Sequence, residues 1–139
     1  MIFFKAQRMQ QLAQQLLALQ RRLEAGSGDT THIREGLEEV ARRVGVDLEI
    51  VRLAHPDTVL DVLAPEGGGD PGKVWAVAEV LFLDGIRARA EGEPGEGLDA
   101  LRKARYLYRT LGEGLVLPDE ATSPDQRLDT LGAILSDQA

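Results

Sequence analysis

The chain has no cysteine and few aromatic residues. Its 139 residues include three Phe, two Tyr and one Trp. Without cysteine, disulfides, thiol nucleophiles and zinc-thiolate sites are excluded. With so little aromatic volume, the core has to be filled by Leu, Val, Ile and Ala.

Long apolar runs and asparagine are missing as well. No segment approaches the roughly 20 apolar residues that span a bilayer. The apolar run in residues 1–5 is too short for a signal peptide, and Gln7 and Arg8 follow it. We therefore expect a cytoplasmic protein with no membrane partner. The lack of Asn and Cys favours a heat-adapted protein, although the excess of Arg over Lys is equally typical of a GC-rich genome.

The overall composition is that of a globular protein with an acidic surface. Hydrophobic residues make up 43% and charged residues 28%, and the length fits one domain over residues 1–139. The formal net charge is −7. A phosphate backbone is bound by Lys and Arg, so this charge argues against a nucleic-acid partner.

Apolar spacing predicts an all-α fold of about six helices. The expected elements are a long N-terminal helix over residues 3–24, a helical hairpin over 75–111 and a C-terminal capping helix. A Gly- and Pro-rich loop over 65–72 separates the N-terminal half from the hairpin half. Asp47, Asp57, Asp70 and Ser123 are the expected helix N-caps, and Gly45 is an expected helix end.

The N-terminal helix carries a regular apolar stripe on one face. We interpret this stripe either as part of the core or as the seam of a homodimer, because three regular heptads exceed what one small core needs. The residues of this candidate seam are Met9, Leu12, Leu16, Leu19 and Leu23.

The hairpin over residues 75–111 resembles a tetratricopeptide repeat, a helix–turn–helix unit of about 34 residues. It departs from the repeat pattern at Asp84, Ala88 and Arg109. A weaker copy is suggested by residues 36–44, which resemble residues 97–105. The resemblance implies an all-α fold in which one helix of the hairpin lines a peptide-binding face. The matching positions are Leu81, Gly85, Gly92, Gly97, Leu98, Leu101 and Ala104.

The order of elements over residues 1–111 also resembles a small bacterial family of uncharacterised helical proteins. This second resemblance implies an all-α fold and supplies no functional residues.

Basic and aromatic residues on the second helix of the hairpin are the candidate partner-binding site. Three arginines at i, i+3 and i+7 predict a basic stripe for an acidic peptide. Acidic residues nearby, Glu93, Glu96 and Asp99, are an alternative set of partners for these arginines. The candidate residues are Arg102, Arg105, Tyr108 and Arg109.

No catalytic, cofactor or metal motif is present in the sequence. His32 and His55 have no ligand at i+4, and no Glu-x-x-His occurs. The glycines at 67–69 lack the Gly-Lys-Ser/Thr ending of a phosphate loop. We therefore expect no cofactor.

The favoured interpretation is a non-enzymatic interaction module or small adaptor with a protein or peptide partner. One alternative is a ligand-binding protein or enzyme with a pocket near Trp75 and Tyr108. The other is a structural protein that self-associates through its first helix.

Overall fold

Seven α-helices make up the fold in the computed structural model, which describes residues 6–26, 30–64, 70–112 and 115–136. The all-α prediction is confirmed, and no strand occurs within these ranges. The helices are α1 (Ala6–Ala25), α2 (Thr30–Arg43), α3 (Leu48–Leu53), α4 (Val59–Leu63), α5 (Pro71–Ala90), α6 (Pro94–Thr110) and α7 (Pro124–Ser136).

Three of the predicted N-caps are confirmed. The Asp47 carboxylate accepts a hydrogen bond from the amide of Glu49 at 3.0 Å, and that of Asp70 accepts from the amide of Gly72 at 2.9 Å. Ser123 and Gln126 form a reciprocal capping box at the start of α7, with both hydrogen bonds at 3.2 Å. These local signals define where α3, α5 and α7 begin.

The predicted N-cap of α4 is wrong. Thr58, rather than Asp57, holds the cap position of α4, and it makes no side-chain capping bond. Its hydroxyl donates to the His55 carbonyl at 3.3 Å instead. Pro71 has the fixed φ that suits a first helical position, and α5 begins there, directly after its predicted N-cap Asp70. Residues 65–69 lie outside the described part.

Glycines with left-handed backbone end three of the helices. Gly26, Gly45 and Gly92 have φ values of 62°, 78° and 82°, and Gly45 was the predicted end of α2. L-residues with a side chain rarely adopt this conformation, whereas glycine does so without steric cost. The turn after Gly92 is short, so α5 and α6 are antiparallel neighbours.

Helix α5 is the centre of the fold. It packs against α1, α2 and α6, while α7 packs on α6. Its side chains are buried around almost the whole circumference from Val74 to Gly85. This arrangement follows from its sequence, in which apolar residues leave no polar face. Among the described residues, no helix combines the length and apolar character that crossing a membrane requires.

The apolar stripe of α1 packs inside the chain. Met9, Leu12 and Leu16 are buried in the core, and Leu19 and Leu23 are partly buried against it. A methyl group added at Gly36 in α2 would lie 2.6 Å from the Leu19 side chain, so these two helices are in close contact there. In the single chain this stripe therefore serves as core.

Candidate functional site

The backbones of α5 and α6 approach each other at two glycines. A Cβ atom added at Gly85 would lie 2.9 Å from the carbonyl oxygen of Gly97, and one at Gly97 would lie 2.9 Å from that of Gly85. Real Cβ atoms almost never come that close to backbone. Because both positions lack a side chain, α6 is held directly on the central helix and its opposite side faces outward.

A buried ion pair joins α7 to α5. Arg127 donates to both carboxylate oxygens of Glu79, at 2.8 and 3.1 Å, and also to the Gln20 side chain at 2.8 Å. The guanidinium carbon lies 4.3 Å from the ring centre of Phe82, a cation–π distance. The Tyr108 hydroxyl on α6 donates to the same carboxylate. Four helices therefore meet at one charged group.

The phenol of Tyr108 is held in its protonated form. Burial raises the pKa of Tyr108 well above its ordinary value, and the negative charge of Glu79 raises it further. Tyr108 is 1% exposed. The predicted partner-binding set therefore contains one residue that lies inside the protein, where its hydroxyl is a hydrogen-bond donor to the core carboxylate.

A second buried carboxylate connects α3 to α5. Asp84 accepts hydrogen bonds from Arg52 at 3.1 and 3.3 Å and from Arg87 at 3.0 and 3.2 Å. Arg87 also pairs with Glu91, and Arg52 with Glu49. Burial lowers the pKa of Arg52, but its hydrogen bonds and its attraction to Asp84 outweigh this effect, and the net shift is upward.

Lys103 fastens α6 to the end of α3. Its ammonium group donates to the carbonyl oxygens of Val51 at 3.0 Å and Arg52 at 2.7 Å, and pairs with Asp99 at 2.7 Å. The last carbonyls of a helix lack partners within the helix, so a buried cation satisfies them. All three donors of the ammonium group are used.

These buried charges were missed from the sequence, although a signal was present. Glu79, Asp84 and Arg87 lie within the most apolar helix of the chain, where a charged side chain has to be paired to be tolerated. The partners Arg127 and Arg52 are 48 and 32 residues away. Their side chains are used within the fold, so these residues hold the helices in place.

The outward side of α6 carries the other predicted partner-binding residues. Arg102 and Arg109 are exposed, and Arg105 and Tyr106 are partly buried. Within the described ranges, the guanidinium groups of Arg102, Arg105 and Arg109 have no hydrogen-bond or ion-pair partner. We call Arg102, Arg105, Tyr106 and Arg109 the α6 basic face.

The acidic residues expected to neutralise these arginines have other contacts. Asp99 pairs with Lys103. A hydrogen bond to the Glu96 carboxylate, together with the negative charge of that residue, raises the pKa of Glu93. The positive charge of the α6 basic face is therefore left uncompensated by these neighbours.

Trp75 and Tyr108, near which a pocket was predicted, are placed differently within the described part of the chain. Trp75 is fully buried in the core, and its indole Nε1 has no hydrogen-bond partner among the residues described. Tyr108 lies in the wall of a surface depression between the end of α6 and the start of α7, which Leu111, Ser123 and Leu128 also line. Trp75 does not line that depression.

The histidines and acidic clusters are placed as follows. His32 and His55 are both exposed and lie on different elements. Within the described residues, no group of three His, Asp or Glu side chains is placed to hold a metal ion. The glycines at 67–69 lie outside the described residues.

A scan of known protein families and searches of curated proteins and solved structures returned no match. The likeness of the α5–α6 hairpin to a tetratricopeptide repeat therefore stays a prediction. The positions that carry it, Leu81, Leu101 and Ala104, are fully buried, and Gly85 and Gly97 are the points of closest helix contact.

Proposed function

We propose that this protein is a non-enzymatic interaction module that binds an acidic segment of a protein partner through the α6 basic face. One observation carries the proposal: three arginines lie together on one helix without a partner among the residues that the structure describes. The chain has 23 acidic residues against 16 Lys and Arg. In such a chain, unpaired guanidinium groups side by side on one helix are unexpected.

Two exposed arginines of α2 are paired, whereas Arg21 on α1 and Arg42 on α2 have no partner among the described residues. Arg34 lies 3.7 Å from Glu38 and Arg43 lies 3.2 Å from Glu39, both at i, i+4 spacing on α2. On α6 no carboxylate stands in that relation to Arg105 or Arg109. The clustering of three such arginines on one face of α6 supports a role for them outside the chain.

The side chains of the face suit recognition of carboxylates. A guanidinium group binds a carboxylate through two parallel hydrogen bonds, which gives orientation as well as attraction. Tyr106 adds a flat, partly buried ring between the arginines, and Tyr and Arg are enriched among residues that dominate binding energy.

The inner side of α6 makes this face rigid. At Gly97 the helix packs directly on α5. Lys103 donates a hydrogen bond to the end of α3, and Tyr108 donates one to the Glu79 carboxylate. A surface that is ordered before binding loses less conformational entropy when a partner docks. The proposed tetratricopeptide likeness also favours a binding partner, because one hairpin normally needs further helices to complete its surface.

The test is an affinity pull-down from the native host with a charge-reversed variant. Arg102→Glu with Arg109→Glu reverses two charges of the α6 basic face. The matched control is Arg21→Glu with Arg42→Glu, because Arg21 and Arg42 are also exposed but lie on α1 and α2. Both variants lower the net charge equally. We expect wild type and the control to recover the same protein, and the α6 variant to lose it.

Recovery of the same protein by all three forms would overturn the proposed surface. So would equal loss from both double variants, because net charge alone would then explain the binding. Circular dichroism of each variant shows whether the helical fold is retained.

A further inference from the structure

Exposed apolar side chains are concentrated on α3 and α4. Ile50 is 54% exposed, Leu53 is 86% exposed and Val62 is 40% exposed. Among the described residues the remaining large exposed hydrophobic residue is Val116. Ile50 and Leu53 are three residues apart on α3, so they share one side of that helix.

Two unpaired carboxylates lie next to these apolar residues, one in α4 and one in the turn before it. Asp57 and Asp61 are exposed. Neither carboxylate has a hydrogen-bond or ion-pair partner within the part of the chain that the structure covers. We call Ile50, Leu53, Asp57, Asp61 and Val62 the α3–α4 acidic surface.

The helices that carry this surface are in contact with α6, which carries the α6 basic face. Lys103 of α6 donates to the carbonyl oxygens of Val51 and Arg52, and α4 also contacts α6. One surface combines apolar residues with unpaired carboxylates, and the other combines a tyrosine with unpaired arginines. Their chemistry is complementary.

We propose that the acidic segment bound by the α6 basic face is the α3–α4 acidic surface of a second copy of this chain. The inference rests on the proposed function and names its partner. Because each copy carries both surfaces, a twofold axis between them makes the same contact twice and closes the assembly as a dimer.

The composition of the paired surfaces fits a protein interface. Leu53, Ile50 and Tyr106 supply the apolar centre, and the charged groups supply a polar rim. The apolar stripe of α1, the seam expected from the sequence, is instead covered by α2 and α5 in the single chain. A self-association that leaves the fold intact therefore needs a surface other than the α1 stripe.

Sedimentation velocity from low to high micromolar concentration tests this inference with two opposite charge reversals. One variant is Arg102→Glu with Arg109→Glu, and the other is Asp57→Lys with Asp61→Lys. Each places like charges across both contacts, so we expect the dimer dissociation constant to rise by roughly a hundredfold. The Arg21→Glu, Arg42→Glu variant is expected to dimerise like wild type.

Mixing the two charge-reversed variants gives the decisive result. In a mixed dimer every altered residue again faces an opposite charge, so an equimolar mixture is expected to regain a mass of twice 15.1 kDa. A variant that had merely misfolded would not be rescued in this way.

Three outcomes would overturn the inference: a wild-type chain that stays at 15.1 kDa, a dimer that neither reversal weakens, or a mixture that remains monomeric. The proposed function is tested by a separate result. If the wild type is monomeric but the pull-down still recovers a foreign protein that depends on Arg102 and Arg109, the α6 basic face binds another partner and only the self-association is wrong.

Discussion

Replacing Gly85 by alanine is expected to destabilise the fold, although alanine is the better helix former. The new Cβ atom would lie 2.7 Å and 2.8 Å from the Leu101 side chain and 2.9 Å from the Gly97 carbonyl oxygen. Leu101 is fully buried and the carbonyl belongs to the backbone, so neither has room to move aside. Helices α5 and α6 would have to separate.

The magnitude follows from comparison with Gly132 on α7, where an added Cβ atom meets nothing within 4 Å. In both helices the exchange of Gly for Ala gains about 1 kcal/mol from helix propensity. At Gly85 the overpacking costs about 1–3 kcal/mol in addition. Gly85→Ala is therefore expected to be about 1–3 kcal/mol less stable than Gly132→Ala.

Urea denaturation of the two variants and of wild type measures this difference as a shift in midpoint at constant slope. We expect Gly132→Ala to be more stable than wild type and Gly85→Ala to be less stable than Gly132→Ala. Equal stability of the two alanine variants would refute the close backbone contact between α5 and α6, and with it the rigid mounting of the α6 basic face.

Further predictions concern the buried groups. The unfolded chain ionises Tyr108 near its ordinary pKa of about 10, whereas the folded chain keeps the phenol protonated, so stability falls as the pH rises above about 10. Tyr108→Phe should reduce the change in urea midpoint between pH 9 and 11. If the variant showed the same change in midpoint as wild type, the buried protonated phenol would be contradicted. Arg127→Met leaves Glu79 buried without its cation and should cost about 3–5 kcal/mol of unfolding free energy. Adding Glu79→Leu to this variant should restore most of the lost stability. A double variant no more stable than the single one would count against the ion pair. Leu16→Ala should lower the free energy of unfolding by about 2–5 kcal/mol, as expected for a core leucine, without changing the sedimentation mass. A change in mass with unaltered stability would instead support α1 as a dimer seam.

The helix boundaries were largely predictable because they depend on local chemistry. Asp47, Asp70 and Ser123 cap the amides of residues two or three positions later, and the left-handed glycine at 45 ends α2. The central position of α5 was also evident, because its apolar residues cover every side of the helix. Asp57 misled because Thr58, which follows it, also belongs to the favoured cap residues and holds the cap position without a side-chain capping bond.

The partners of the buried charges were not predictable, because they join residues that only the tertiary fold brings together. Tyr108 is a partial exception. It follows Leu101 by seven residues and Ala104 by four, so it lies on the buried line of α6. Tyr106 lies on the outward side, and the helical spacing would have placed it, rather than Tyr108, in the recognition face.

The central claim is that the α6 basic face contacts another protein. Site-specific photo-crosslinking tests it most directly, with a photoreactive phenylalanine derivative in place of Tyr106 and, as control, in place of the exposed Ala133 on α7. The account predicts that the chain labelled at 106 forms a covalent adduct with one protein species in the host, whether a second copy or a different chain. It also predicts that Arg102→Glu with Arg109→Glu abolishes that adduct. The same adduct formed at equal yield from position 133, or one indifferent to the charge reversal, would contradict it.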